Sequence, residues 1–505
     1  MSSGASNILL LMTDQHRLDT LGCYGNEVCR TPALDELAAS GTRFDRGFTP
    51  TAICTPARAT LLTGVLPYRH TLLANYERNV GYPEELDSER FPPFSEELAG
   101  AGYRLGHVGK WHVGKQRGPE EFWFDGLHYP GWGNTVRHPD YLRYLEERGL
   151  PPFRVRDEVR GTFPNGQPGN LLGGILEQPV EATFEYYLAE RTIEYLRRYA
   201  ADSGRNKGTD RHPFYLGCHW FGPHLPYLLP ERYYRLYSPD DVELPPSAME
   251  TFANKPAVQR HYSEHWTFDS LHDRQWRELI AAYLGYVTMI DEQVGRILDE
   301  LERLGLTDDT AVFFTADHGE FTGAHRMHDK GPAMYDDIYR IPLLARVPGG
   351  PAGQVEDRIA TLTDLPSTFL ELAGLQAPVH YQGRSLLPLL NGEGSTDWPE
   401  RLIAEFHGHH FPYPQRMIRT DRYKLVVNPA DSNELYDLRA DPSELHNRYQ
   451  HPELAEVRRE LLATLYSQLR DRGDNFYHWM TSMFEIGDKT YDTSLGQTDH
   501  AGSTA

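Results

Sequence analysis

Three short apolar runs constrain this chain more than any other feature: Ile8-Leu9-Leu10-Leu11-Met12, Phe214-Tyr215-Leu216-Gly217-Cys218 and Ala311-Val312-Phe313-Phe314-Thr315. Each is too short for a typical globular helix and lacks the alternation of a half-exposed strand, so each reads as a strand buried on both faces. Stretches with helical spacing lie between them: Thr31 to Gly41, Ser95 to Gly100, Glu181 to Ala200, and one long or two abutting helices from Gln275 to Leu304. Tyr103 to Val108 adds a further strand. Strands alternating with helices predict an α/β fold, a large and mostly parallel mixed sheet with helices on both faces.

Every strand of this set stops at polar residues. Thr13-Asp14-Gln15, Gly109-Lys110-Trp111-His112, Pro223-His224 and Asp317-His318 follow the respective apolar runs. Ligands of such sheets bind beyond the carboxyl ends of the strands. Asp14, Lys110, His112, His224, Asp317 and His318 are therefore expected to converge on one crevice. Asp14 with the Asp317-His318 pair offers hard oxygens and an imidazole, which suits a divalent cation such as Ca²⁺, Mg²⁺ or Mn²⁺.

Cys54-Thr55-Pro56-Ala57-Arg58, followed by Leu61-Leu62-Thr63-Gly64, looks like a helix start carrying a thiol. Thr55 is expected as N-cap, Pro56 in the first turn and Gly64 as the stop. At such a start the free N–H groups and the helix dipole stabilise an anion at Cys54. Arg58, four residues on, shares its helical face. The local sequence serves equally well for a packed, inert cysteine at an ordinary helix start.

The net charge of −22 over 505 residues speaks against a nucleic-acid partner or an anionic membrane, and an anionic small substrate then needs a local positive site. Four cysteines (Cys23, Cys29, Cys54 and Cys218) are too few and too scattered for a disulfide scaffold. Nothing near Met1 resembles a signal or membrane segment, so a cytoplasmic location is expected, or a periplasmic one if a leader has been removed. A catalytic domain is expected over 1–376, with irregular insertions at about 118–179 and 228–273 that shape substrate choice. A smaller α+β domain with an antiparallel sheet follows over 377–471. An irregular tail over 472–505 either stays disordered or clasps a second copy in a homo-oligomer.

The Cys54-to-Gly64 stretch resembles the type I sulfatase signature. The likeness extends to Asp14-Gln15, Gly109-Lys110-Trp111-His112, Pro223-His224-Leu225-Pro226, Asp317-His318-Gly319 and His328-Asp329-Lys330-Gly331. Together these resemble the active-site motifs of formylglycine-dependent sulfatases in the alkaline phosphatase superfamily. The resemblance implies a hydrolase of sulfate monoesters, broadly arylsulfatase-like, whose Cys54 is oxidised to formylglycine by a formylglycine-generating enzyme. It implies one divalent metal, Ca²⁺ before Mn²⁺ or Mg²⁺, held by Asp14, Gln15, the modified Cys54, Asp317 and His318. Gln15 stands where many sulfatases carry a second aspartate.

By the same resemblance, a hydroxyl of the hydrated aldehyde attacks sulfur and the second hydroxyl expels sulfate. Arg58 would hold the diol, Lys110 and Lys330 the sulfuryl oxygens, and His112 would assist release. His224 would protonate or hydrogen-bond the leaving oxygen, Asn75 would touch a substrate oxygen, and His325 and His328 would lie one layer out. The enzyme alternative is a phosphonate monoester or phosphodiester hydrolase. The alternative of another class is a catalytically silent metal-binding protein.

Overall fold

The computed structural model describes residues 6–483 apart from 77–79, 130–134, 206–211, 395–396 and 430. Its centre is an eight-stranded sheet in the order Gln354–Glu356, Thr42–Phe44, Leu343–Arg346, Thr310–Ala316, Asn7–Thr13, Phe214–His219, Arg104–Lys110, Asp125–Tyr129. From Thr310–Ala316 to Asp125–Tyr129 all neighbours run parallel. Leu343–Arg346 opposes both of its neighbours. The expected mostly parallel mixed sheet is thus the sheet observed.

The three apolar runs occupy its middle, and every residue of Asn7–Thr13, Phe214–His219 and Thr310–Ala316 is buried. Alternate side chains of a strand point to opposite faces. Leu9 and Leu11 accordingly share a core with Leu188, Leu196, Val287 and Ile290, from helices Phe184–Arg205 and Asp273–Arg303. Ile8, Leu10 and Met12 share the other core with Leu61, Leu98 and Phe369 from three further helices. Asp273–Arg303 is a single helix, opened by a capping box between His272 and Gln275.

The two insertions are more regular than expected. Asp125–Tyr129 extends the main sheet, while Val155–Thr162, Pro168–Leu176 and Tyr227–Pro230 form a second, three-stranded sheet. In the second insertion lies the helix Ala257–His265. Near the carboxyl end, Leu402–Gly408, Pro412–Arg419, Tyr423–Val427 and Glu434–Asp437 make a four-stranded antiparallel meander. Helix Ala455–Arg472 packs on it.

The stretch after 472 is not irregular throughout: Phe476–Met483 is a helix. Asp474 makes it so, because its carboxylate accepts from the Phe476 N–H at 3.0 Å and is itself held by Arg416 at 2.7 and 2.9 Å. Residues 484–505 of the expected tail lie outside the described residues. Among the described residues no helix is long and apolar enough to cross a membrane.

Candidate active site

Helix Cys54–Thr63 is buried along its whole length, and the thiol sits in its first turn. Thr55 is not the N-cap. Ile53 occupies that position in extended conformation, and the Thr55 N–H donates instead to Asn75 Oδ1 at 3.0 Å. The Asn75 amide nitrogen reaches the Cys54 sulfur at 3.9 Å, so Asn75 caps this helix from outside it. Gly64 closes the helix with φ 65°, where a Cβ would stand 2.6 Å from the Tyr381 ring.

Parallel strand ends bring the remaining groups to this helix start. Asp14 follows Asn7–Thr13 directly, Asp317-His318 follows Thr310–Ala316, and Lys110 is the last residue of Arg104–Lys110. Asp14, Cys54, Asp317 and His318 each offer one donor atom, and these atoms lie within 4.8 Å of one another, all buried. The Cys54 sulfur is 3.3 Å from His318 Nε2 and 3.8 Å from Asp14 Oδ1. His318 Nδ1 donates to the Gly319 carbonyl at 2.8 Å, which turns Nε2 toward the cluster, the orientation that metal-binding histidines adopt.

Cations surround this anionic centre. Arg58 Nε donates to Asp317 Oδ2 at 2.9 Å and its Nη2 to Asp14 Oδ2 at 3.3 Å. Lys110 donates to the same oxygen of Asp14. Lys330 pairs with Asp329 at 3.0 Å and donates at 2.8 Å to both Gln15 Oε1 and His224 Nε2. Because His224 Nδ1 donates to the Leu225 carbonyl at 2.6 Å, its Nε2 is left as the acceptor that faces Lys330.

The field at Cys54 is positive. Burial opposes ionisation of the thiol, but Lys110, Lys330 and His318 outweigh it and, with a hydrogen bond from His112, hold its pKa well below the usual value. This is the local positive site that an acidic protein needs for an anionic ester. Burial also works against Asp14, yet Lys110, His224 and Arg58 bring it down to about 2. Asp317 moves the other way, pushed up by burial and by the charge of Asp14. Burial lowers His318, and the charges of Asp317 and Cys54 more than reverse this, to about 9. Two carboxylates, a thiolate and a protonated imidazole pressed together in this way are a donor set that a divalent cation would satisfy by taking the place of that proton.

Further groups complete the surroundings, and of these Glu320, His219 and His107 were not singled out from the sequence. Glu320 accepts from the Gln15 amide and, at 3.0 Å, meets His328 Nδ1, so His328 connects to Lys330 through Glu320 and Gln15. Behind Arg58, His219 Nδ1 lies 3.4 Å from its Nη1, and the His107 ring is 4.5 Å from that of His219. Both histidines are strand residues inside the sheet, where no sequence pattern separates them from packing residues. His325 is further away, stacked at 3.6 Å on Tyr335 and paired with Glu250. Cys29 and Cys218 are buried, and Cys23 is half-buried.

The model of the sulfatase family matches residues 6–375. The chain belongs to the sulfatase family. A second model, of the carboxyl-terminal part of N-sulphoglucosamine sulphohydrolase, matches residues 323–471 of this sulfatase. An uncharacterized sulfatase of Escherichia coli, YidJ, is 30% identical to it over 94% of this chain and 89% of its own length. Among solved structures, the phosphonate monoester hydrolase of Agrobacterium radiobacter superposes with a TM-score of 0.75 at 25% identity, covering 92% of this chain and 96% of its own. A protein solved with its substrate D-glucosamine-2-N,6-O-disulfate shares the fold, with a TM-score of 0.70 at 22% identity over 93% of this chain and 99% of its own. Sulfatases generally use a metal ion and a formylglycine, and the Cys54 motif with its converging donors suits both.

Proposed function

We propose that this sulfatase hydrolyses sulfate monoesters at Cys54 oxidised to formylglycine. The observation that carries this is the convergence of Asp14, Cys54, Asp317 and His318 beneath Lys110 and Lys330. The Cys54 thiol stands where the modified side chain would carry its oxygens. Asp14, Asp317, His318 and the modified residue 54 would hold a divalent cation, for which oxygen-rich ligation favours Ca²⁺, and Gln15 keeps a lone pair for it beyond the one used by Lys330. Such a cation supplies charge neutralisation and a lowered pKa for the attacking hydroxyl.

The chain's own residues supply the rest. Lys110 and Lys330 place two ammonium groups against the sulfuryl oxygens, where negative charge must be offset as the nucleophile approaches. Arg58, locked by Asp14 and Asp317, orients the hydrated side chain. Asn75 steadies the first helical turn, and its amide also faces the substrate oxygens. His112 takes the proton that frees the aldehyde. His224, whose Nε2 faces Lys330, serves the leaving oxygen. The unit over 377–471 is proposed to close the site from one side.

Mass spectrometry of the Cys54 peptide from a host that makes formylglycine should show loss of the thiol. Turnover of 4-nitrophenyl sulfate should exceed that of a phenylphosphonate monoester. An unconverted Cys54 in such a host would refute the mechanism. A strong phosphonate preference would favour the second reading, phosphonate monoester hydrolysis, to which the likeness to the Agrobacterium enzyme lends support.

A further inference from the structure

Arg58 is buried, and nearly every donor it has is committed. A guanidinium carries five N–H groups and no acceptor. Nε donates to Asp317 Oδ2 at 2.9 Å, and Nη2 donates to Asp14 Oδ2 at 3.3 Å. Nη1 uses its hydrogens on the other side, on the Lys110 carbonyl at 3.1 Å and on His219 Nδ1 at 3.4 Å. Among the described residues, the second N–H of Nη2 has no protein partner. That nitrogen and the Cys54 sulfur flank the same carboxylate, since Asp14 Oδ1 lies 3.8 Å from the sulfur.

The two acceptors of Nη1 come from neighbouring strand ends. His219 closes Phe214–His219, Lys110 closes Arg104–Lys110, and Gly109 stands in register with His219. Gly109 lets the strands come this close: its φ is 111°, and a Cβ there would be 2.0 Å from the His219 carbonyl oxygen. The His219 ring is backed by that of His107 at 4.5 Å, which Trp111 meets edge-on at 5.2 Å. Because Arg58 only donates, His219 Nδ1 accepts, and the proton of the neutral ring is on Nε2. Burial, His107 and Arg58 all hold the ring well below the usual imidazole pKa, which keeps that lone pair free. Asp14 and Asp317 belong to the cluster that a cation would draw on, so their hold on Arg58 is shared. The Lys110 carbonyl and His219 lie outside it, and two acceptors on one nitrogen fix the plane of the guanidinium where one would leave it free to pivot.

We propose that His219 is a positioning residue for the hydrolysis: it accepts from Nη1 and fixes the plane of Arg58, so that Nη2 keeps its remaining N–H for the hydrated residue 54. The inference rests on the sulfatase function proposed above, in which Arg58 orients that side chain. It gives a task to a strand residue that lies behind the reacting groups.

Three substitutions test it. In His219→Asn the amide oxygen falls close to the place of Nδ1, in His219→Gln it reaches past that place, and His219→Leu fills the space with no acceptor. With Cys54 converted, His219→Leu should lower kcat for 4-nitrophenyl sulfate by about ten- to hundredfold, the value of a hydrogen bond to a charged group, with KM within about twofold of wild type. His219→Gln should behave alike, and His219→Asn should recover most of the loss. A second measurement needs no turnover: O-methylhydroxylamine captures the free aldehyde of residue 54 as an oxime, with loss of water, and mass spectrometry follows it. A diol held less firmly dehydrates more often, so capture should quicken in His219→Leu and His219→Gln and stay near the wild-type rate in His219→Asn. Should His219→Leu fail to fold, the contrast between His219→Asn and His219→Gln carries the test. Equal losses in all the variants with unchanged capture would mark a structural role and overturn the inference, as would wild-type kcat in His219→Leu. A wild type that carries the aldehyde yet leaves 4-nitrophenyl sulfate intact overturns the proposed function instead, and the capture rates then decide the role of His219 alone.

Discussion

Buried charge is used in opposite ways at the two ends of this molecule. In the carboxyl-terminal sheet, Arg416 is fully buried and holds Asp474 through two parallel hydrogen bonds at 2.7 and 2.9 Å, with Glu405 at 3.6 Å. Glu405 in turn accepts from the Tyr68 N–H at 2.9 Å and pairs with His407 at 2.5 Å. Nearby, Lys424 reaches Asp336 at 2.6 Å and Glu444 at 2.7 Å. These groups compensate one another and fix the last helix and the sheet in place. At the strand ends of the main sheet, Asp14, Cys54, Asp317 and His318 each place one donor atom within 4.8 Å of the others. Desolvated charge that is mutually satisfied builds structure; desolvated charge that is left aimed inward waits for a ligand.

The contrast predicts unlike responses to perturbation. The largest effect belongs to Cys54→Ala, which should lower turnover of 4-nitrophenyl sulfate by at least about ten-thousandfold, since it removes the proposed nucleophile outright. Initial rates against wild type measure it, and substantial residual activity would move the nucleophile elsewhere.

Chelation should come next. Treatment with EDTA should abolish turnover and lower the melting temperature, with Ca²⁺ restoring both. A cation at 100 to 1,000 times its dissociation constant is worth about 3–4 kcal/mol. A melting curve indifferent to chelator would mean that the donor cluster is as self-sufficient as the carboxyl-terminal network, and the comparison would fail.

In that network, Arg416→Met should cost about 3–5 kcal/mol by stranding Asp474, read from urea unfolding. Replacing both partners, Arg416→Met with Asp474→Leu, should cost less, because no unpaired charge then remains. A double variant no better than the single one would argue that the pair does more than cancel charge.

The smallest effect is a pH dependence. Burial pushes Glu405 up to about 8, although Arg416 works against it, from an unfolded value near 4.5. The folded state therefore holds the proton more tightly. Its contribution is fully present below about pH 4.5 and is lost as pH rises through about 8, by on the order of a few kcal/mol. Glu405→Gln should flatten the melting temperature across that window. An unchanged slope would assign the dependence to another buried acid.

Much of this architecture was legible in the residues. Continuous apolar runs admit few alternatives to doubly covered strands, so the sheet type and the crevice at its carboxyl ends followed from hydropathy alone. The nucleophile candidate was legible because Cys54, Pro56 and Arg58 resemble the sulfatase signature; their offsets alone suited an inert, packed cysteine at a helix start equally well. The cap was not: Asn75 takes the Thr55 N–H because the chain returns past the helix start, and local propensity pointed to Thr55 instead. Glu320 and His219 were equally opaque, since each acts only through a partner brought up by the fold.

The sequence by itself determined the strands, the order in which polar motifs end them, and the membership of the chain in a family, because these depend on local pattern and spacing. Only the tertiary structure decided which oxygen each cation holds and that His224 presents Nε2 to Lys330. Those facts depend on distances of a few ångströms between residues far apart in the chain, and no local preference of the backbone encodes them.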